Sequence, residues 1–187
     1  MKIVVAGSVY LDIRIKLDGK YNAYGNNSGF ATTQYSSPAF ELAKQLALDG
    51  NEVIFVSSID SPASVYIRRM LEEAGVSSVY IAYEPNGFGF RVSFDGVTSG
   101  QLSNQVCGKL ISKTIQENES TILDNVDAVI VDHVSSKIKS LCSKRNVKLY
   151  WLADDSDIKR FDSSDAVMKS FTNVPTISLD NYKEVLA

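Results

Sequence analysis

The chain has 187 residues, a formal net charge of -3, 44% hydrophobic and 22% charged residues, and a mean hydropathy of -0.05. Those totals exclude a disordered polar chain and a bilayer-spanning one, and they are enough for a single well-buried domain but not for two full ones. The weak acidic balance offers no field for nucleic acid, so the expected partners are neither nucleic acid nor membrane, and the expected location is cytoplasmic.

In chain order, residues 2–6 form an apolar, β-rich run that ends at Gly7-Ser8 and is too short for a signal-peptide core. Residues 11–17 alternate Leu11, Ile13, Ile15 and Leu17 with polar residues, the pattern of a half-exposed strand. Between Tyr21 and Tyr35 the composition shifts to Gly, Asn, Ser, Thr and Tyr, which reads as a loop or irregular hairpin. Ser37 is a suitable N-cap and Pro38 a suitable first helical residue. Ala39, Leu42, Ala43 and Leu46 then recur on one helical face until Gly50. A strand at 53–56 follows, and Ser61-Pro62 opens a second helix whose Ile67, Met70, Leu71 and Ala74 line one side before Gly75. Strand, helix, strand, helix implies a parallel sheet.

Residues 79–83, 88–94 and 97–102 read as short strands joined at Pro85-Asn86-Gly87 and Asp95-Gly96, and are expected to form an antiparallel appendage. After a helical stretch at 106–115, strands are expected at 128–131, 148–152 and 175–178, with helices at 137–143 and 164–171. Cys107 and Cys142 are expected to be reduced thiols, with Cys142 on the buried side of its helix. The single histidine, His133, reads as a loop residue. Asp154, Asp155 and Asp157 read as a solvated acidic loop, and Trp151 as core. The sequence carries no Gly-x-Gly-x-x-Gly fingerprint.

The element order, together with Gly7-Ser8-Val9-Tyr10-Leu11-Asp12, resembles the ribokinase-like (PfkB) carbohydrate kinases and their opening Gly-Ser-x-x-x-Asp. The resemblance implies one ribokinase-like α/β domain over 1–187, incomplete. Its mostly parallel Rossmann-like sheet is flanked by helices, with β-lid strands at about 11–17 and 79–102. It further implies that Asp12 accepts substrate hydroxyls, since a carboxylate can accept from two at once. The family's Gly-Gly-x-x-x-Asn stretch falls on Ser36, Ser37 and Glu41, so these become substrate-side positions by alignment. From the residues alone, Ser36 and Ser37 read as helix caps and Glu41 as a first-turn acid favoured by the helix dipole. The Gly-x-Asp-x-x-Gly stretch is represented by Ile59, Ser61 and Ser64, with Asp60 alongside, and Leu71 to Val76 resembles the family's Leu-x-x-x-Gly-Val.

Residues 87–96 resemble the substrate-covering strands that often form dimers in this family. Asn181-x-x-Glu184 resembles the Asn-x-x-Glu motif, which helps to organise magnesium and phosphate through water. ATP and magnesium are therefore implied, as are a sugar or nucleoside ligand and a homodimer through the lid. The family's anion hole and catalytic base lie in a Gly-Ala-Gly-Asp segment. All 11 glycines here lie at or before Gly108, so no catalytic residue is assigned and the chain is expected to be inactive alone. The alternative is a non-catalytic ligand-binding, regulatory or dimerisation module on the same fold.

Overall fold

The computed structural model describes residues 1–22, 24–59, 61–83, 89–94, 97–102, 107–153 and 174–187. Six strands make the main sheet: β1 (Lys2–Ala6), β4 (Glu52–Ile59), β5 (Ser78–Tyr83), β8 (Ala128–Val131), β9 (Lys148–Leu152) and β10 (Thr176–Ile177). They lie in the order β10-β9-β8-β1-β4-β5, and every pairing is parallel. Both faces are apolar, as a parallel sheet covered on both sides requires. Ile3, Val5, Val53, Phe55 and Ile130 enter one core with helices α1 (Pro38–Leu48) and α2 (Ser61–Glu73), and with Tyr182 of α6 (Tyr182–Leu186). Val4, Ala6, Val56, Val129 and Val131 enter the other, with α3 (Cys107–Glu117), α4 (Glu119–Ile122) and α5 (Ser136–Arg145). The period of two along each strand sends alternate residues into alternate cores.

The helix boundaries follow from capping chemistry. Ser37 has an extended backbone and its Oγ accepts from the Phe40 N–H at 3.0 Å, while Pro38 occupies the first turn, where its missing donor costs nothing. At the other end Gly50 adopts φ +85°, and the Gly50 and Asn51 N–H groups donate to the Ala47 and Leu46 carbonyls, which closes a Schellman turn. Along α2, Ala63, Ile67 and Leu71 are buried; Met70, expected on that face, is exposed because it lies one residue round the helix from Leu71.

A second, four-stranded sheet has the order β3-β2-β6-β7, built from β2 (Tyr10–Leu17), β3 (Gly29–Ser36), β6 (Gly89–Phe94) and β7 (Val97–Leu102). It differs from the expected lid in three ways. Residues 29–36, mostly within the stretch read as a loop or irregular hairpin, form a full eight-residue edge strand antiparallel to β2. Residues 79–83, assigned to the lid, extend the main sheet beside β4 instead. The lid is mixed rather than antiparallel, because β6 runs parallel to β2 while β7 returns antiparallel to β6. The turns at 85–87 and 95–96, the acidic cluster at 154–157 and the helix at 164–171 lie outside the described residues. Among the described residues no helix is long and apolar enough to cross a membrane.

Candidate functional site

β1 has β4 on one side and β8 on the other, and the chain winds outward in opposite directions from it. The carboxyl ends of β1 and β8 therefore bound a topological switch point, where open α/β sheets form their ligand crevice. Gly7, Ser8 and Val9 leave β1 at that point and feed directly into lid strand β2, and Asp132 and His133 leave β8 opposite them.

The two sides are tied together. The Asp132 Oδ2 accepts from the Ser8 N–H at 2.6 Å and from the Ser8 hydroxyl at 2.7 Å. Burial pushes the Asp132 carboxyl above the ordinary carboxylate range, and the two Ser8 hydrogen bonds pull against it. Gly7 is required here: a Cβ would run into Ala39 on α1 and stand 2.8 Å from the Asp132 Oδ2. Behind Asp132, a Cβ on Gly108 of α3 would stand 2.6 Å from the exposed His133 ring, so α3 approaches this loop closely. The Ser112 hydroxyl lies 3.0 Å from that of Ser135, which caps α5 by accepting from the Ile138 N–H.

Of the residues singled out in the sequence, Asp12 sits in the lid with only 1% exposure. The parallel register of β2 with β6 places it opposite Arg91. The Arg91 Nε donates to its Oδ1 and the Arg91 Nη2 to its Oδ2, each at 3.0 Å, and the Arg14 Nε donates to Oδ2 at 2.8 Å. The Arg91 fork, with Arg14 behind it, holds the Asp12 carboxyl below its ordinary value despite burial. The Arg91 guanidinium also lies over the Tyr10 ring, 5.0 Å from its centre. Asp12 is thus engaged by cations rather than presented open to two hydroxyls.

Ser36 and Ser37 are both buried. Ser37 is the α1 cap, Ser36 pairs with Tyr10 across β2 and β3, and the Ser36 hydroxyl lies 3.4 Å from the Glu41 Oε1. Glu41 also pairs with Lys44 at 2.7 Å. Ser37 thus holds the capping role and Glu41 the first-turn position that their residue types predict, whereas Ser36, also read as a cap, ends lid strand β3 instead because its backbone pairs with Tyr10.

Asn181 and Glu184 are placed elsewhere. The Asn181 Oδ1 accepts from the Ser178 N–H at 2.8 Å, and Glu184 is exposed. Next to them the Tyr182 hydroxyl donates to Asp49 at 2.6 Å and the Lys183 Nζ to the same carboxylate at 3.2 Å. Asp49 caps the C-terminal end of α1, about 18 Å along the axis from Ser37 at about 1.5 Å per residue. The motif therefore stands at the opposite end of α1 from the Ser36–Ser37 corner. Among the described residues no group of three His, Cys, Asp or Glu side chains is arranged to hold a metal. Asn181 is engaged by the Ser178 N–H and Glu184 is exposed, and no chemical step is derived through magnesium.

Asp132 is the residue that sequence reading passed over, since it noted only the neighbouring histidine. Its signal was an acid at the carboxyl end of a buried strand, but its partner Ser8 lies 124 positions away.

No family model matches the chain. A guanosine-inosine kinase from Exiguobacterium acetylicum is 27% identical to it, over 80% of this chain and 52% of that protein. Ribokinase from Giardia lamblia superposes with a TM-score of 0.69 at 12% identity, covering 92% of this chain and 56% of that one. The 2-dehydro-3-deoxygluconokinase of Thermotoga maritima gives 0.63 at 17% identity, covering 94% and 58%. Ribokinase from Arabidopsis thaliana, solved with ribose and ATP, gives 0.55 at 15% identity, covering 81% and 53%. The chain spans about half the length of the relatives it matches. With its six-stranded parallel sheet, its flanking helices and a mixed lid sheet springing from the switch point, the chain has the ribokinase-like α/β fold.

Proposed function

We propose that this chain is the substrate-side portion of a PfkB-type kinase, which transfers the terminal phosphoryl group of ATP to a hydroxyl of a sugar or nucleoside. The observation that carries this reading is the departure of lid strand β2 directly from the β1–β8 crevice, through Ser8 and within six residues of Asp12. A lid hinged at the ligand crevice can cover a small molecule and exclude water from it, which strengthens every polar contact inside. The nucleoside kinase relative supports the nucleoside alternative, and the fold neighbours support sugars. ATP and magnesium enter through the relatives' chemistry, and no described residue of this chain is assigned to them. The protein would work in the cytoplasm.

The roles proposed for the chain's own residues are limited. Ser8 and Asp132 set the shape of the crevice floor. Ser36, Ser37 and Glu41 fix the corner from which α1 starts. Asp12 orients the lid arginines. On the other face of the lid, Leu11, Ile13, Ile15 and Leu17 are half-buried, and Phe90 opposite Leu11 is 39% exposed, which supports a homodimer formed lid to lid.

A second reading is favoured by one observation, the occupation of Asp12 by two arginines: a non-catalytic ligand-binding or dimerisation module on the same fold. Assay of the longest polypeptide encoded at this locus decides between them. ATP-dependent phosphorylation of guanosine, inosine or ribose supports the kinase reading, and no turnover across a sugar and nucleoside panel leaves the module.

A further inference from the structure

We propose that the polar face of the lid is a subsite for an anionic group, a phosphate or carboxylate carried by the ligand, rather than for neutral sugar hydroxyls. The inference rests on the substrate-side reading above and names the chemical class of that substrate. Asp12 was expected to supply acceptors. Its two oxygens offer about four lone-pair positions, and guanidinium groups fill three of them. What this face presents is the reverse: two guanidinium groups of five N–H donors each, of which three N–H bonds go to Asp12, and two positive charges against one negative.

The arrangement is built into the fold. Tyr10, Asp12 and Arg14 alternate onto one face of β2, and the β2–β6 register sets Arg91 directly opposite Asp12. The carboxylate is 1% exposed, whereas the Arg91 and Arg14 side chains are 30% and 57% exposed. Water, and therefore a ligand, meets the cations and not the acid. The Asp12 fork and the Tyr10 ring fix the plane of Arg91, which lowers the entropy cost of a second, anionic partner. Ser36, paired with Tyr10 across β2 and β3, joins this face to the start of α1 and hence to the crevice.

The test is titration calorimetry on the full chain with matched probes: ribose and ribose 5-phosphate, guanosine and guanosine 5'-monophosphate, glucose and gluconate, and inorganic phosphate alone. The expected result is at least tenfold tighter binding of the charged member of a pair. That gain should weaken as salt is raised from 50 to 300 mM and should disappear in Arg14→Gln, a change at an exposed side chain. Arg91→Lys, which keeps the charge but not the fork, should retain part of the gain. A phosphate pair favoured without the gluconate pair identifies phosphate as the group, and the converse identifies carboxylate. Neutral ribose or guanosine binding as tightly as its charged partner overturns the anionic subsite while leaving the substrate-side reading intact. Absence of binding by every probe overturns both.

Discussion

Breaking the Asp12–Arg91 pair from its two sides should give unequal costs. Arg91→Ala removes two charge-assisted hydrogen bonds and leaves a carboxylate that is 1% exposed with only Arg14 beside it. Hydrogen bonds to charged groups contribute about 1.5–3 kcal/mol, and removing one partner of a buried pair costs about 3–5 kcal/mol. Because Arg91 itself is 30% exposed, water can replace part of what is lost, and a destabilisation of roughly 2–3 kcal/mol is expected. Arg14→Ala acts on a side chain 57% exposed and should cost less than about 1 kcal/mol. Removing the acid as well relieves the uncompensated charge, so Asp12→Asn combined with Arg91→Ala should cost less than the sum of the single changes by at least about 1 kcal/mol. Urea denaturation followed by circular dichroism, with m held common, measures all four variants. The reasoning is refuted if Arg91→Ala costs no more than Arg14→Ala and the double variant is additive.

Three other outcomes follow from single sites. The stability supplied by Asp12 is complete above its ordinary pKa of 3.8 and is lost as the pH falls through the lowered folded value. Asp132 has the opposite sign: stability falls as the pH rises from 3.8 through its raised folded value. Unfolding free energies from pH 3 to 7 should show Asp12→Asn losing stability against the parent towards neutral pH and Asp132→Asn gaining it; parallel curves would refute the assignment. Gly7→Ala should cost about 1–3 kcal/mol by overpacking against Ala39 and Asp132, whereas Gly19→Ala, with nothing within 4 Å, should leave the melting temperature nearly unchanged. The Cys142 thiol, pushed up to about 11 by burial, should resist a disulfide reagent at pH 8 until the chain is unfolded; labelling at the rate of a free thiol would contradict its packing.

Much of the main sheet was legible because its signals are local. The buried runs at 3–6, 53–56 and 128–131, and the Ser-Pro starts and Gly stops of α1 and α2, specify their own conformations. The strand at 29–36 was legible only as one of two alternatives, loop or irregular hairpin, because it is an edge strand with six exposed residues, held by backbone hydrogen bonds to β2 that require no apolar pattern. The strand at 78–83 was misplaced because membership of a sheet is decided by pairing, here Ile54 with Ser78, and not by the neighbouring turns. At the site, Asp12 was identified as important, but its partner is 79 residues distant and comes to it only through the parallel register. Charge pairing across strands that distant is a tertiary fact, and the sequence around Asp12 carries no sign of its arginine partner on β6.

The central claim is that the ligand crevice lies at the β1–β8 switch point beneath the lid. Two-dimensional amide NMR of the isotope-labelled chain titrated with ribose 5-phosphate and with guanosine measures it directly. The account predicts that shifts concentrate at Ser8, at Asp132 and His133, and along Tyr10 to Arg14, with those at α6 and the Asp49 end of α1 unchanged. Shifts confined to α6 and Asp49, or absent with both ligands, would contradict it.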